Sequence, residues 1–479
     1  MKNFSIITLG CKVNQYESQQ VRQFLEQLGL EQVEEFQKPD LVIVNTCCVT
    51  GTASAKSRQY IRKAQKINPD AVTLVCGCLP IAQIGELNEI GENVHLVRHR
   101  DRLAAILTQM VNGKAAAADL PAKPGSDVFA GADLQGAQIY KDTIIRPEND
   151  SNINCENELG NLLTSVSSVE PKLTQLTSFT GQTRAFLKVQ DGCDGHCTYC
   201  IVPKVRPFVH SKPVEAALQE AQALVEAGHR EIVVTGVFLG AYGQKSVRRK
   251  TWANQQNDQL ADLLDKMAEI PNLARIRLSS LEPADVTPRL VDTFCKHPNI
   301  MPHLHLSLQS GSDKVLKKMG RQYNADEFRE KVALLKSRLD RPAITTDIIV
   351  GFPGETDADF QQTINLAKEV GFAKMHIFSF SLRKGTAAAV MQGALDNRVI
   401  KDRSGILRDL EVELGRAFRQ QFVGETAEIL VENDNGQVCG RSERYFMVYL
   451  EKTAKKPQRN EIVRAKLLEN SENGVIGEM

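Results

Sequence analysis

An α/β fold is the first expectation from this 479-residue chain. Two stretches, 1–112 and 181–420, alternate strand-like and helix-like apolar patterns, and such βαβ order builds parallel sheets. In both, cysteines fall directly after strand-like runs. A third stretch, 421–479, reads as short strands between polar turns, the pattern of a small β-barrel. The expected architecture is an N-terminal parallel-sheet βαβ domain, a central open (β/α)6 barrel and a C-terminal small β-barrel, with a linker at 113–180 between the first two.

Composition limits the function. The chain is long enough for two or three domains, each with its own core. A net charge of +1 excludes a globally basic nucleic-acid binder, so any such contact comes from local patches. The first residues run straight into a strand-like segment at 5–9, and no run approaches membrane-spanning length. A cytoplasmic protein with no membrane partner is therefore expected. Eleven cysteines in that compartment point to metal ligands or redox chemistry before disulfides.

In the first stretch, strand-like runs at 5–9, 41–44 and 72–75 lead to Cys11, to Cys47 and Cys48, and to Cys76 and Cys78. Helical patterns follow at 15–28, 54–66 and 81–90. A parallel sheet binds ligands beyond the C-terminal ends of its strands, next to helix N-termini that favour thiolates. Three cysteine-bearing strand ends thus suggest three ligands to one iron cluster. Any one of these cysteines could instead be a small core hydrophobe, Cys76 above all. The helix at 54–66 carries Lys56, Arg58, Arg62, Lys63 and Lys66, with no acidic residue between Thr52 and Pro69. It is either a solvated face or a phosphate-backbone contact.

From Gly113 periodicity dissolves into Pro, Gly, Asn and Ser-rich sequence of net charge −4, read as a loosely packed insertion to residue 180. Cys155 within it has no partner pattern.

The second stretch opens with a strand-like run at 186–190 and then Cys193, Cys197 and Cys200 in C-x3-C-x2-C spacing. Three thiolates on one loop hold three irons of a cubane, whereas clusters usually take four cysteines, so one iron stays open to a small molecule. A zinc knuckle with His196 as fourth ligand is the alternative, but adjacent residues such as His196 and Cys197 rarely point at one metal. Strands at 231–235, 275–279, 303–308, 344–350 and 374–380 alternate with helices at 214–226, 258–268, 288–296, 325–336 and 357–370. Six βα units suit an open relative of the parallel barrel, with its reaction centre at the C-terminal strand ends. Turns at 235–237, 279–283, 309–312 and 351–356 occupy those ends; singly each could be a turn before a helix cap. Cys295 and His297 lie in or near a helix and read as structural.

In the last stretch, strands are expected at 427–431, 436–440, 445–450, 462–467 and 474–477. Between Arg441 and Lys466 eight basic residues face three acidic ones, interleaved with Tyr445, Phe446 and Tyr449. That suits an RNA surface, or equally core aromatics with a solvated basic rim.

The Cys193–Cys197–Cys200 loop resembles that of the radical S-adenosylmethionine (SAM) enzymes. The runs 8–18 (TLGCKVNQYES), 44–47 (VNTC) and 75–78 (VCGC), with LGAYG at 239–243 and MGRQY at 319–323, resemble the methylthiotransferases of that superfamily. The resemblance implies a radical-SAM barrel, a TRAM-like RNA-binding barrel at 421–479, and two [4Fe–4S] clusters with SAM as cofactors. It assigns Cys11, Cys47 and Cys78 to an auxiliary cluster that handles the inserted sulfur, and Cys193, Cys197 and Cys200 to the catalytic one. It places SAM contacts at Gly236, Gln309, Ser310, Gly351 and Glu355. One SAM donates a methyl group to sulfur; a second, reductively cleaved, initiates replacement of C–H by C–SCH3. The implied partners are a tRNA substrate and a reducing electron-transfer protein such as flavodoxin or ferredoxin, with the sulfur donor open. The first cysteine's surroundings are most similar to the branch acting on N6-threonylcarbamoyladenosine beside the anticodon, rather than on isopentenyladenosine or a ribosomal-protein aspartate. The sequence departs from the family pattern at Cys48 and Cys76, either of which could substitute for a neighbour, and at Pro207 and His210. A non-catalytic metal-cluster RNA-binding protein is the alternative of another class.

Overall fold

The computed structural model describes residues 1–82, 87, 93–112, 171–253, 255–432, 437–451 and 456–479. Strands β1 (Asn3–Thr8), β2 (Glu31–Gln32), β3 (Leu41–Thr46), β4 (Val72–Gly77) and β5 (Val94–Leu96) form a parallel sheet in the order β2-β1-β3-β4-β5. The central strand β3 is buried along its whole length, as a parallel strand covered on both faces should be. Helix α1 (Lys12–Gln27) covers one face with Val21, Phe24 and Leu25. Helix α2 (Gly51–Ile67), capped by the Thr50 hydroxyl on the Ala53 N–H, covers the other with Ile61 and Ala64. Of the helix expected at 81–90 only Leu79–Ala82 is described; most of the remainder lies outside the described residues.

Residues 113–170, and Cys155 with them, also lie outside the described residues. The last ten residues assigned to the linker are not loose. Leu176 and Phe179 are buried in the central core, and Gln20 and Gln23 of α1 donate to the Thr174 and Gln175 carbonyls at 2.8 Å. The strap at 171–180 is pinned because α1 presents amides exactly where its backbone lacks partners.

In the central domain β6 (Ala185–Asp191) carries a short antiparallel edge strand, β7 (His210–Ser211), on one side and pairs in parallel with β8 (Glu231–Gly236) on the other. The third expected strand is bent at Ser279. Its first part, β9 (Arg275–Leu278), pairs with β8; its second, β10 (Ser280–Leu281), pairs with β11 (His303–Leu306). β12 (Ala343–Val350) and β13 (Lys374–Ser379) complete the parallel arc. The outer helices include Asp357–Val370, set by a Thr356–Asp359 capping box and closed by left-handed Gly371. A 24-residue helix, Asn397–Gln420, which the sequence reading did not separate, joins the arc to the last domain.

There β14 (Thr426–Val431), β15 (Cys439–Ser442), β16 (Met447–Glu451), β17 (Ile462–Asn470) and β18 (Val475–Glu478) close a barrel in the order β14-β15-β16-β18-β17. Two fully buried arginines of β9 bolt it to the central domain. Arg275 donates to the Arg441 and Glu428 carbonyls at 3.0 and 2.8 Å, and Arg277 to those of Glu443 and Ser442 at 2.9 and 2.7 Å. Glu231, wholly buried on β8, holds Arg277 at 2.8 Å. Arg277→Ala would leave that carboxylate only the longer pair with Arg275 at 3.7 Å and remove two bonds to the barrel, a loss of about 3 kcal/mol. Guanidinium unfolding and limited proteolysis should show a lower midpoint and early release of the C-terminal barrel.

Candidate active site

The three-cysteine loop leaves β6 where Gly192 takes φ +80°, and a side chain there would overlap the Phe208 carbonyl passing above it. The Cys193 N–H donates to the Arg206 carbonyl at 2.8 Å, and Thr198 is held by the Met319 and Lys318 carbonyls, each at 2.9 Å. Asp194 anchors the loop's far side through Ser246 and the Val247 N–H. All three thiols are partly exposed, while His196, the candidate zinc ligand, turns to solvent. Burial first, and then the neighbouring thiols, push Cys193 up to about 12 and Cys200 up to about 11. Such a crowded set ionises fully only around a cation.

The N-terminal cysteines meet at the C-terminal ends of β1, β3 and β4. Gly10 (φ +100°) sits so close to Cys47 that a β-carbon would lie 2.9 Å from its sulfur, so glycine at 10 lets Cys11 and Cys47 converge. Cys11, Cys47 and Cys78 act on one another electrostatically, and Cys200 also senses Cys78, so the two thiol sets are neighbours. The two extra cysteines part ways. Cys76 is packed in the core under α1 with Val21 and Leu74. Cys48 is buried on the opposite face and its thiol donates to Cys78, which that bond, with help from Arg206, lowers to about 6.

Between the sets lies a buried ion cluster that the sequence reading missed. Glu17 of α1, almost wholly buried, is bound by Arg100, by Lys188 of β6 at 3.1 Å and by Arg206 at 2.7 Å. Arg206 also grips Asp191, two residues before Cys193, at 2.9 Å. Burial raises the Glu17 pKa, but Arg100, Arg206 and Lys188 outweigh it and bring it down to about 2. The signal is Arg206 in the segment beginning at Val205; the departures at Pro207 and His210 lie beside it, and His210 is exposed, its ring bonded to the Phe208 carbonyl and its backbone paired with Asp191 of β6.

The strand-end residues divide differently from expectation. Ser310 is fully buried, its hydroxyl accepting from the Ser312 N–H at 3.2 Å. Glu355 is likewise turned inward, holding Arg403 at 2.6 Å and the Gly351 N–H at 2.8 Å. Their side chains are spent on the fold, so what these positions offer a ligand is backbone. Gly236 packs against Gln190, and Gln309 takes a left-handed φ of +66° at the end of β11. Arg321, quoted only as part of MGRQY, is the buried cation nearest the loop: 3.1 Å from the Cys197 sulfur and 2.6 Å from Glu282. Cys295 and His297 are structural, the latter bonded to Asp265 at 2.7 Å.

Beneath the strand ends the arc encloses a cavity of about 600 Å³, bounded by Lys12 at one end and by the C-terminal barrel at the other. Seven lysines and arginines and three histidines line it, against three carboxylates. His305, Asp347 and His376, from three adjacent strands, share its floor. Tyr445 faces the cavity: it stacks on His303 at 4.3 Å among Arg184, Arg277 and Arg441. Phe446 is turned inward beside Phe422. Exposed basic groups of this barrel among the described residues include Lys456, Arg459, Arg464 and Lys466.

Residues 187–367 match the Radical SAM superfamily, and residues 3–98 match the Uncharacterized protein family UPF0004. The threonylcarbamoyladenosine tRNA methylthiotransferase MtaB of Chlamydia pneumoniae is 33% identical, covering 99% of this chain and 98% of its own. That of Bacillus subtilis (strain 168) is 32% identical, covering 98% and 94%. The chain belongs to the radical SAM tRNA methylthiotransferases. A tRNA-2-methylthio-N(6)-dimethylallyladenosine synthase of Pelotomaculum thermopropionicum is 29% identical, covering 92% and 89%. The radical SAM methyltransferase TsrM of Kitasatospora setae shares the fold, with a TM-score of 0.53 at 14% identity, over 81% of this chain and 75% of its own. The enzyme's cofactors are SAM and two [4Fe–4S] clusters, and two neighbouring sets of crowded thiols have the donor chemistry to hold the clusters. No described helix is long and apolar enough to cross a membrane.

The Glu17 cluster has a pH signature. Its carboxyl sits below the ordinary 4.5, so the stabilisation is complete above that value and is lost as pH falls toward 2. Acid titration followed by near-UV circular dichroism should show this loss. Glu17→Gln should lower stability by about 1–3 kcal/mol at neutral pH, because Arg100 loses its carboxylate while Lys188 and Arg206 keep only Asp191.

Proposed function

We propose that this enzyme converts N6-threonylcarbamoyladenosine beside the tRNA anticodon to its 2-methylthio derivative. The observation that carries the reading is the cavity between the strand ends and the C-terminal barrel: it is lined by charged and hydrogen-bonding groups, which suit a polar amino-acid substituent and would leave an isoprenoid among unsatisfied ions. The full-length relatives at 32–34% identity that carry the threonylcarbamoyladenosine name support it.

In this reading Cys193, Cys197 and Cys200 hold the catalytic cluster and Cys11, Cys47 and Cys78 the auxiliary one. When bound, the clusters and SAM supply the electrons, the methyl group and the power to break an unactivated C–H bond. The chain's own residues orient and exclude. Arg321 sets the environment of Cys197, the Glu17–Arg206 cluster fixes the spacing of the thiol sets, and backbone groups at Gly236, Gln309, Ser310, Gly351 and Glu355 line the SAM side. The exposed face of α2, with Lys56, Arg62, Lys63 and Lys66, offers charge to the tRNA backbone. The reducing partner is an electron-transfer protein such as flavodoxin or ferredoxin.

Nucleoside mass spectrometry of tRNA treated with reconstituted protein tests the assignment. The 2-methylthio form of threonylcarbamoyladenosine is expected; methylthiolated isopentenyladenosine alone, or a modified ribosomal-protein aspartate, would replace it. The cysteine sets separate in variants. Cys193→Ala should retain about four irons and lose SAM cleavage, whereas Cys11→Ala should retain cleavage and lose the methylthio product.

A further inference from the structure

The cavity holds two polar groups that the fold leaves unanswered. Lys12, the residue after Cys11, lines it and makes no hydrogen bond or ion pair among the described residues. Its charge acts on His303, Asp347, His376 and Tyr445 of the same lining. His376 on β13 also has no hydrogen bond among the described residues; its ring leans on His305 at 5.8 Å, and a ring nitrogen lies within 4.8 Å of the Asp347 carboxylate. Other cations of the lining are already matched, as Arg277 is by Glu231 at 2.8 Å and Lys374 by Glu411 at 2.9 Å.

We propose that Lys12, with His376 beside it, is the receptor for a carboxylate carried by the target base, that of the amino acid on N6 of the adenosine; this assignment rests on the substrate reading above. An unpaired ammonium in a walled cavity is costly unless a ligand supplies its counter-charge. His305, Asp347 and His376 place ligand atoms within 4.8 Å of one another, close enough for a cation, but the surroundings oppose one. Both His305 nitrogens are occupied, by Thr345 at 3.0 Å and Asp347 at 3.3 Å, and Lys12 and the basic surplus would repel a metal. An anion meets the reverse conditions.

The placement also sets depth. The chain leads from His305 of β11 past the strand end to Gln309 and Ser310, and from Asp347 of β12 to Gly351 just beyond it, and Lys12 adjoins Cys11. A base whose side chain is anchored at Lys12 is therefore held just under the SAM side and next to the auxiliary thiols. An apolar N6 substituent would leave the ammonium desolvated and unpaired, so the same contact that attracts an acid rejects an isoprenoid.

The test uses anticodon stem-loops carrying threonylcarbamoyladenosine either as the free acid or as its methyl ester. The reconstituted enzyme should prefer the acid by about 10- to 100-fold in kcat/KM, the range of a charge-assisted hydrogen bond, and mainly through KM. Fluorescence anisotropy should show the same preference in Kd. Lys12→Met should remove the preference, Lys12→Arg should restore it, and His376→Phe, on a different domain from the thiols beside Lys12, should narrow it. Iron content of each variant separates lost recognition from a lost cluster. Equal use of acid and ester by the native enzyme, or a preference that survives Lys12→Met, overturns the proposal. Product on an isopentenyladenosine stem-loop with none on either threonylcarbamoyl substrate instead overturns the substrate reading itself.

Discussion

The geometry of this enzyme depends on one buried carboxylate. Glu17 belongs to the N-terminal domain, yet Lys188 and Arg206, which bind it, belong to the central one. Arg206 reaches from there to Asp191, at the root of the three-cysteine loop, and contributes to the environment of Cys78. A single ion cluster thus touches the supports of both thiol sets. Burying so many charges is tolerable because each has a partner of opposite sign; the arrangement gives position more than stability. Apolar packing alone would let two domains slide, whereas a set of directed ionic hydrogen bonds has one register.

The C-terminal barrel closes the other end. Arg275 and Arg277 bind its backbone carbonyls rather than its side chains, so its strand edge, not its surface chemistry, is what the central domain recognises. Tyr445, held at a left-handed φ of +74°, is thereby pressed against His303 and becomes part of the cavity wall. The barrel does two jobs: its exposed basic residues face solvent, and its inner loop finishes the cavity wall.

What the sequence made legible was whatever depends on local pattern. Parallel strands declare themselves by apolar runs, and cysteines just past them sit at the ligand-binding edge by topology alone. What stayed hidden depends on which way a side chain turns at a strand end. Ser310 and Glu355 belong to turns of the right kind, but their side chains bond inward to Ser312 and Arg403. The polar floor of His305, Asp347 and His376 comes from three strands far apart in sequence, each with an unremarkable alternating pattern. The strap at 171–180 lacks periodicity because it is neither helix nor strand: Leu176 and Phe179 reach the core singly while its backbone is held by the glutamines of α1.

That strap bears on the long insertion before it. Val111, at the end of the helix Leu103–Val111, and Leu173, at the start of the strap, pack against the same apolar cluster beneath α1. The chain therefore departs from and returns to one wall of one domain, and the two ends are stapled together before the central domain begins. Since the free energy of closing a loop grows only slowly with its length, the meeting of Val111 and Leu173 on one wall asks for no particular number of residues between them. The two ends keep their places by their own packing, so the start of the central domain is registered on α1.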